Sequence, residues 1–499
     1  GAPETVTFVQ PSATSIALNR VTGVDPSQIL GALSANGRIF LVNPNGVLFG
    51  TSANVDTNGL IASTLDIVDA DFLADNFAFS GAGAGVIQNL GDLNSPGGFV
   101  ALLGARIENL GLIQANLGEI ALASGNAVTV SLDPSGIVSV AVTSATTSNP
   151  GAFNDAIVNH GVLKADQGQV ILSAEILGGL FDNAINNQGI IEATQVGLSN
   201  GSINLEAAGG NTVIDGTVTT GALASSNTTG NTTISGNITT TSAAGAVVSS
   251  AGDITHNYLS AVLTNDGLFK GNAGQDYIIK NGSLIDAGSG TIDIYAGRNV
   301  IIGSTSELVD EYTYDWEYLG GYRGGQFLEF GYYYNSGVLT QISLSSGFDI
   351  GKDGVSPTSG SGILSGGIPD GLYSKVVAMG NNEWFTDPAL NSDGTDHYHE
   401  TGNVYPLEDL SVAVSDFDFE DEIVRFNTSV TSYTGTPAIR TTGNMFITAR
   451  DGYIVENKSD ISAGNLTLNA DDGITGHVVN GGFVADTLNL SALNRTSGE

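Results

Sequence analysis

Short apolar runs rich in β-branched and aromatic residues recur along the whole chain, each closed by a polar turn. Residues 36–64, NGRIFLVNPNGVLFGTSANVDTNGLIAST, hold two such runs, Arg38–Val42 and Val47–Phe49, parted by Asn43-Pro44-Asn45-Gly46. Asn at the first position, Pro presetting φ at the second and Gly closing the tetrapeptide predict a type I turn. A second Asn-Gly pair, Asn58-Gly59, precedes the apolar pair Leu60-Ile61. Runs this short, punctuated by Asn-Gly, predict strands and not helices. The exception is PSQILGAL, Pro26–Leu33, where Asp25 as N-cap and Pro26 at the first helical position predict a short helical turn.

From about residue 80 the pattern becomes a repeat. Val86–Gly104 (VIQNLGDLNSPGGFVALLG) and Arg106–Gly125 (RIENLGLIQANLGEIALASG) place Asn89-Leu90-Gly91 and Asn109-Leu110-Gly111 20 residues apart. Further copies begin at Ile157, Ile185, Ile278 and Ile461. The shared form is apolar-x-Asn-x-Gly-x-apolar-x-Ala, a turn, then Gly-x-apolar-x-apolar-x-Ala-Gly. Alternation sends every second side chain inward. Asn and Gly are expected at the corners because they tolerate left-handed φ. One such repeat cannot bury its own inner face, so successive copies must stack and pair in parallel. The predicted fold class is all-β: a parallel β-helix with coils of about 20 residues. No segment between strands is long and helix-periodic enough for an α/β crossover.

Residues 305–440 break the pattern. Both tryptophans, Trp316 and Trp384, and most of the tyrosines lie there, opening with ELVDEYTYDWEYLGGYRGGQFLEFGYYYN. This stretch reads as an aromatic-rich β subdomain inserted between coils. The expected organisation is a first domain over 1–130, repeats over 131–304, the insertion over 305–440 and repeats again over 441–499. Ser225–Gly245 is a Thr/Asn-rich, chargeless variant of the coil in which Asn227, Asn231 and Asn237 begin Asn-x-Thr sequons. These residues are read as corner and outer-face positions of a β-helix.

Composition narrows the partners. There is no cysteine, so core burial and backbone pairing must hold the chain without disulfides. No apolar run is long enough for a transmembrane helix, so no membrane insertion is expected. Fifteen basic against 51 acidic residues give a formal charge of −36, which disfavours nucleic acid and anionic membrane surfaces. Divalent cations, glycans and other proteins remain.

Three segments in order, ETVTFVQPSATSIALNRVTG (Glu4–Gly23), DPSQILGALSANG (Asp25–Gly37) and IFLVNPNGVLFG (Ile39–Gly50), carry a family likeness. Their wording and spacing resemble the haemagglutination-activity domain, the secretion domain of filamentous-haemagglutinin-like adhesins exported by two-partner systems. The resemblance covers residues 4 to about 130; beyond it only the style of repeat is shared. It implies a right-handed β-helix, an extracellular or cell-surface location, and passage through a dedicated outer-membrane transporter. It also implies that Asn43, Pro44, Asn45 and Gly46 belong to the domain which that transporter recognises. Relatives of this kind carry further strands and a cap ahead of the ETVTF segment, so the first coil is expected to be missing here.

The insertion holds the candidate binding residues. Tyr312, Tyr314, Trp316, Tyr318, Tyr332, Tyr333, Tyr334 and Trp384 on an acidic background suit a sugar- or protein-binding surface. The alternative is that an excursion without a share of the rod core needs an aromatic core of its own. Asp393 and Asp396, and the alternating Asp416, Asp418 and Glu420, are candidate calcium ligands, and His397 with His399 could present one face of a strand to zinc; a solvated acidic face is the other reading. No nucleophile elbow, phosphate loop or zinc motif is present, and no catalytic residue is assigned. The expected function is that of a non-enzymatic secreted adhesin or fibre-forming exoprotein. Unpaired strand edges at the ends of a β-helix would let copies stack head-to-tail into filaments. The competing readings are a β-helical polysaccharide lyase or hydrolase and a capture protein that grips a partner through 305–440.

Overall fold

The computed structural model describes residues 4–81, 85–132, 138–194, 201–303, 315–319, 326–335, 338–344, 425–427, 437–456, 459–475 and 482–492. They fall into two units, one of Gly1–Ser304 with Gly435–Glu499 and one of Thr305–Thr434.

The first unit is a right-handed parallel β-helix with three strands to a coil. Val47–Phe49, Asn54–Asp56 and Gly59–Ser63 make up one coil, one strand on each of three faces. Each strand pairs in parallel with its counterpart in the next coil: Val47 with Ile87, Asn54 with Asp92, Leu60 with Val100. The first face runs as a 13-stranded sheet that includes Ser27–Ile29 and Gly473–Thr475. Inward residues of all three faces, among them Ile87, Leu93, Val100, Ile285, Ile302, Ile439 and Ile454, form one continuous apolar core. Pro26–Leu33 is not helical. Ser27–Ile29 and Ala32–Ala35 are strands, because Ser27 and Ile29 lie in register with Val47 and Phe49. The ladder overrides the local capping signal. Among the described residues the α-helix is instead Asp69–Leu73.

The Asn-x-Gly corners obey a different physics from the one expected. Asn89, Asn109, Asn159 and Asn187 are fully buried and point into the helix. The amide of each donates to the side-chain oxygen of the next, with Asn89, Asn109 and Asn159 each donating over 2.8 Å. Such a satisfied amide ladder repeats one hydrogen bond per coil and sets the register without burying an unpaired group. The glycine two residues on is required by contact with the preceding coil. A Cβ on Gly111 would lie 2.2 Å from Gly91 O, and one on Gly161 2.1 Å from Gly111 O.

The left-handed residues sit at the next corner. Gly97, Leu117 and Gln167 have φ of 72°, 62° and 61°, and each precedes a glycine of a second column. A Cβ on Gly118 would come 1.8 Å from Gly98 O. Glycine is therefore held by steric contact between coils, while a leucine and a glutamine bear the strained dihedral.

The Thr/Asn-rich segment also turns inward. Its Asn227, Thr232 and Thr240 are buried, as are Thr212 and Thr220 of the preceding coil. Asn227 Nδ2 donates to Gly210 O, Asn231 O and Thr212 Oγ1 at 2.9, 3.1 and 3.2 Å. That engagement leaves its amide unable to carry a glycan in the folded chain, whereas Asn231 and Asn237 are exposed. One coil later His256 occupies the core, its Nε2 2.7 Å from Tyr277 Oη and its ring stacked on that tyrosine. Burial pushes the His256 pKa down to about 3 and the Tyr277 hydroxyl well above its usual value.

A second apolar layer covers the third face of the early coils. Two excursions leave that face, and their strands Asp66–Ile67, Phe77–Ser80, Ala127–Leu132 and Val138–Ser144 pair into a four-stranded antiparallel sheet. Beneath it lie the outward residues of the coil strands, including Phe40, Ile61, Phe99, Leu103 and Ala121, with Phe77, Phe79, Val128 and Val130 closing over them. Phe40 meets Phe77 edge-on at 5.2 Å, a favoured aromatic geometry. Strands Phe99–Gly104 and Glu119–Ser124 are consequently buried at every residue.

The second unit contributes an antiparallel sheet of Val338–Leu344, Gln326–Asn335, Asp315–Leu319 and Arg425–Asn427, in that order. Ala438–Arg440, at the edge of the stretch read as insertion, is a β-helix strand paired with Leu284–Asp286.

Three outcomes test this packing. Gly118→Ala should lose about 3 kcal/mol in chemical denaturation, because the coils must part to admit the methyl group. Leu117→Gly should stay within about 1 kcal/mol of wild type, since relief of the left-handed strain offsets glycine's entropy cost. His256 is neutral in both folded and unfolded states above its ordinary pKa. As pH falls below 6.5, the unfolded chain takes up a proton that the folded chain refuses until pH reaches about 3. Stability should therefore fall with a slope that steepens from about 0.7 kcal/mol per pH unit at pH 6.5 toward about 1.4 near pH 5, from this group alone. Denaturation measured between pH 6.5 and 5 should show that slope, and His256→Phe should remove it.

Candidate functional site

The tetrapeptide Asn43-Pro44-Asn45-Gly46 forms the corner between the third-face strand Arg38–Val42 and the first-face strand Val47–Phe49. Gly46 N donates to Asn43 O over 3.0 Å, closing a four-residue turn. The Asn43 side chain braces it from within: its Oδ1 accepts from Asn45 N at 3.0 Å. Asn43 is fully buried because its Nδ2 reaches the preceding coil, donating to Asp25 O and Ser27 Oγ, each at 3.0 Å. Asn45 Nδ2 adds a bond to Gly23 O at 2.9 Å. Gly46 has φ of 122°, a conformation costly to any residue with a Cβ. It also meets the following coil, where a Cβ would lie 3.1 Å from Val86 O.

The motif thus divides by position. Asn43 and Gly46 are buried and clamp three successive coils, whereas Pro44 and Asn45 form an exposed tip. The tip stands at the corner from which both excursions of the antiparallel sheet leave. Arg20 ties that sheet to the coils: its Nε reaches Asp66 Oδ1 at 2.8 Å and its Nη1 reaches Asp69 Oδ1 at 2.7 Å, with a further bond to Ile67 O. The hydrogen bonds it donates to Asp69 and then Asp66 hold the guanidinium pKa above its ordinary value. Nothing in the local sequence marks Arg20 for this role, since its partners lie 46 and 49 residues away.

The aromatic candidates are placed only in part. Trp316 and Tyr318 lie in the strand Asp315–Leu319, in register with Glu329 and Phe327 of the neighbouring strand. Tyr332, Tyr333 and Tyr334 lie in Gln326–Asn335 and pair with Gln341, Thr340 and Leu339. Tyr312, Tyr314 and Trp384, and the calcium candidates Asp393, Asp396, Asp416, Asp418 and Glu420, lie outside the described residues. Among the described residues no group of three or more His, Asp or Glu side chains is arranged to hold a metal ion. At the first described coil an apolar cavity of about 280 Å³ lies among Val6, Phe8, Ile29, Leu33, Leu41 and Phe49.

Residues 1–220 match the family model of the TPS secretion domain. The chain is 35% identical over 220 residues to a Heme/hemopexin-binding protein of Haemophilus influenzae strain Rd, over 42% of this chain and 23% of that protein. A second Heme/hemopexin-binding protein of Haemophilus influenzae is 31% identical over 230 residues, covering 42% of this chain and 24% of its own length. The chain therefore spans about a quarter of the length of these curated relatives. Among solved structures, the HMW1 secretion domain from Haemophilus influenzae is similar at 26% identity and a TM-score of 0.43, over 61% of this chain and 81% of that one.

The two halves of the motif should separate in stability. Asn43→Ala strips four hydrogen bonds from a buried corner and should cost about 2 kcal/mol in urea denaturation. Pro44→Ser, at the exposed tip, should stay within about 0.5 kcal/mol of wild type.

Proposed function

Residues 1–220 are a TPS secretion domain, and on that premise we propose that the chain is a non-enzymatic surface exoprotein of the adhesin type, with residues 305–440 as its contact surface. Exoproteins with this domain are secreted to the extracellular space or cell surface, and the domain implies an outer-membrane transporter as partner. The observation that carries the reading is the division of the chain. The secretion domain and the repeats share one continuous core, while Thr305–Thr434 forms a separate unit in which the aromatic residues concentrate. A β-helix supplies delivery and reach, and a Tyr/Trp-rich module suits contact with a glycan or a surface protein. The match to the family model ends at residue 220, ahead of the aromatic unit. Calcium held by the acidic runs near 393 and 416 belongs to the same reading. So does head-to-tail self-association through the strand edges of the β-helix.

At the secretion step, the exposed Pro44-Asn45 tip is the point offered to the transporter and Asn43 its internal brace. Coexpression of the chain with a two-partner transporter, followed by measurement of the secreted fraction, tests this. Pro44→Ser should reduce secretion at least several-fold although the purified variant unfolds like wild type. Secretion at the wild-type level would reduce the motif to a structural turn. Electron microscopy of the purified chain, with and without a calcium chelator, tests the finer assignment. Filaments that dissolve only with chelator would support both stacking and calcium. Single particles indifferent to chelator would remove both and leave the adhesin reading resting on 305–440.

A further inference from the structure

The β-helix runs through the point of insertion without losing register. Leu284 pairs with Ala438, Ile292 with Met445, and Val300 with Ile454, so all three faces continue directly across it. Side chains bridge the same step. A corner ladder in which each oxygen accepts a backbone N–H one coil on runs from Asn211 to Asn231, Asp253, Asp276 and Asn299. It ends with Asn299 Oδ1 accepting from Tyr453 N at 3.0 Å, across 154 residues of sequence. Thr441 Oγ1 likewise donates to Gly290 O at 2.5 Å.

The corner that carries the insertion has known lengths in neighbouring coils. Between first-face and second-face strands it is Ser235-Gly236 after Ile234, Asn257–Ser260 after His256, and Lys280–Ser283 after Ile279. Backbone hydrogen bonds fix the equivalences. Lys280 N donates to His256 O and Gly303 N to Ile279 O, while Leu284 N donates to Ser260 O and Ala438 N to Ser283 O. Gly303 therefore stands where Lys280 stood, and Ala438 where Leu284 stood. In the coil before, that gap is spanned by Asn281-Gly282-Ser283 alone, with Gly282 at φ of 75°.

We propose that this corner is an insertion port: residues 304–437 occupy the place of a three-residue turn, and the β-helix, with its secretion domain, closes and is exported without them. The inference rests on the ladders on either side and not on what 305–440 contacts. Its physical basis is that loop length at a corner costs little when both flanking strands are already fixed by their ladders. Contact and delivery are then separable functions of one chain.

The test is a chain in which 304–437 is replaced by Asn-Gly-Ser. Its thermal transition should lie within a few degrees of wild type, its β circular dichroism per residue should match, and coexpression with a two-partner transporter should secrete it at a comparable level. In a second variant, specific protease sites placed at 304 and 436 allow both joints to be cut in the folded protein. The segments 1–303 and 437–499 should then stay together through size-exclusion chromatography, held by the parallel ladders. Dissociation of the cut segments would overturn the proposal, whether or not the deletion variant accumulates. A deletion variant that is secreted but unfolded would overturn it equally. If both variants behave as expected while binding of surface glycans or proteins persists in the deletion, the port stands and the assignment of contact to 305–440 falls.

Discussion

The structure depends on the distance at which one coil lies upon the next. Parallel strands hydrogen-bond at about 4.8 Å, and at the corners this brings backbone against backbone. A side chain at Gly111, Gly161 or Gly189 would drive a carbon to within 2.2, 2.1 and 2.2 Å of the carbonyl one coil below. The glycine columns are therefore a condition of ladder formation. With the columns in place, the Asn89–Asn109–Asn159–Asn187 amide ladder and the continuous apolar core follow, since both need identical spacing in every coil.

A ladder this strict confines variation to the corners. The chain leaves the helix at the third-to-first-face corner to build the antiparallel sheet over Phe40, Ile61 and Phe99. It leaves again after Ile302, at the first-to-second-face corner, for the second unit. The first kind of excursion folds back onto the coils and gives the secretion domain a second apolar layer. Arg20, Asp66 and Asp69 bind that layer to the coils. The NPNG turn stands at the corner where the layer begins, so its exposed tip is held by a doubly packed frame.

The absence of cysteine and the charge of −36 fit the same division of labour. Stability comes from repeated backbone pairing and a continuous apolar core. Net negative charge keeps an elongating chain soluble. The buried amide of Asn227 is answered by three acceptors. The buried imidazole of His256 resists protonation, and its burial appears as a sensitivity to acid.

Much of the fold was legible in the sequence. The 20-residue spacing of Asn89-Leu90-Gly91 and Asn109-Leu110-Gly111 and the strict alternation of the runs imply stacked parallel coils, because period is a local property of the chain. The NPNG turn was legible for the same reason: Asn, Pro and Gly act on their own backbone. What only the tertiary structure decided is whatever depends on a neighbouring coil. The corner asparagines face inward because each finds its partner one coil away, and the corner glycines are required by a carbonyl 20 or more residues distant. Pro26–Leu33 is extended because Val47–Phe49 lies beside it. The outer apolar layer left one local trace, the unbroken runs FVALLG and IALAS, which signal burial on both faces. What covers them could come only from chain segments brought together by the fold.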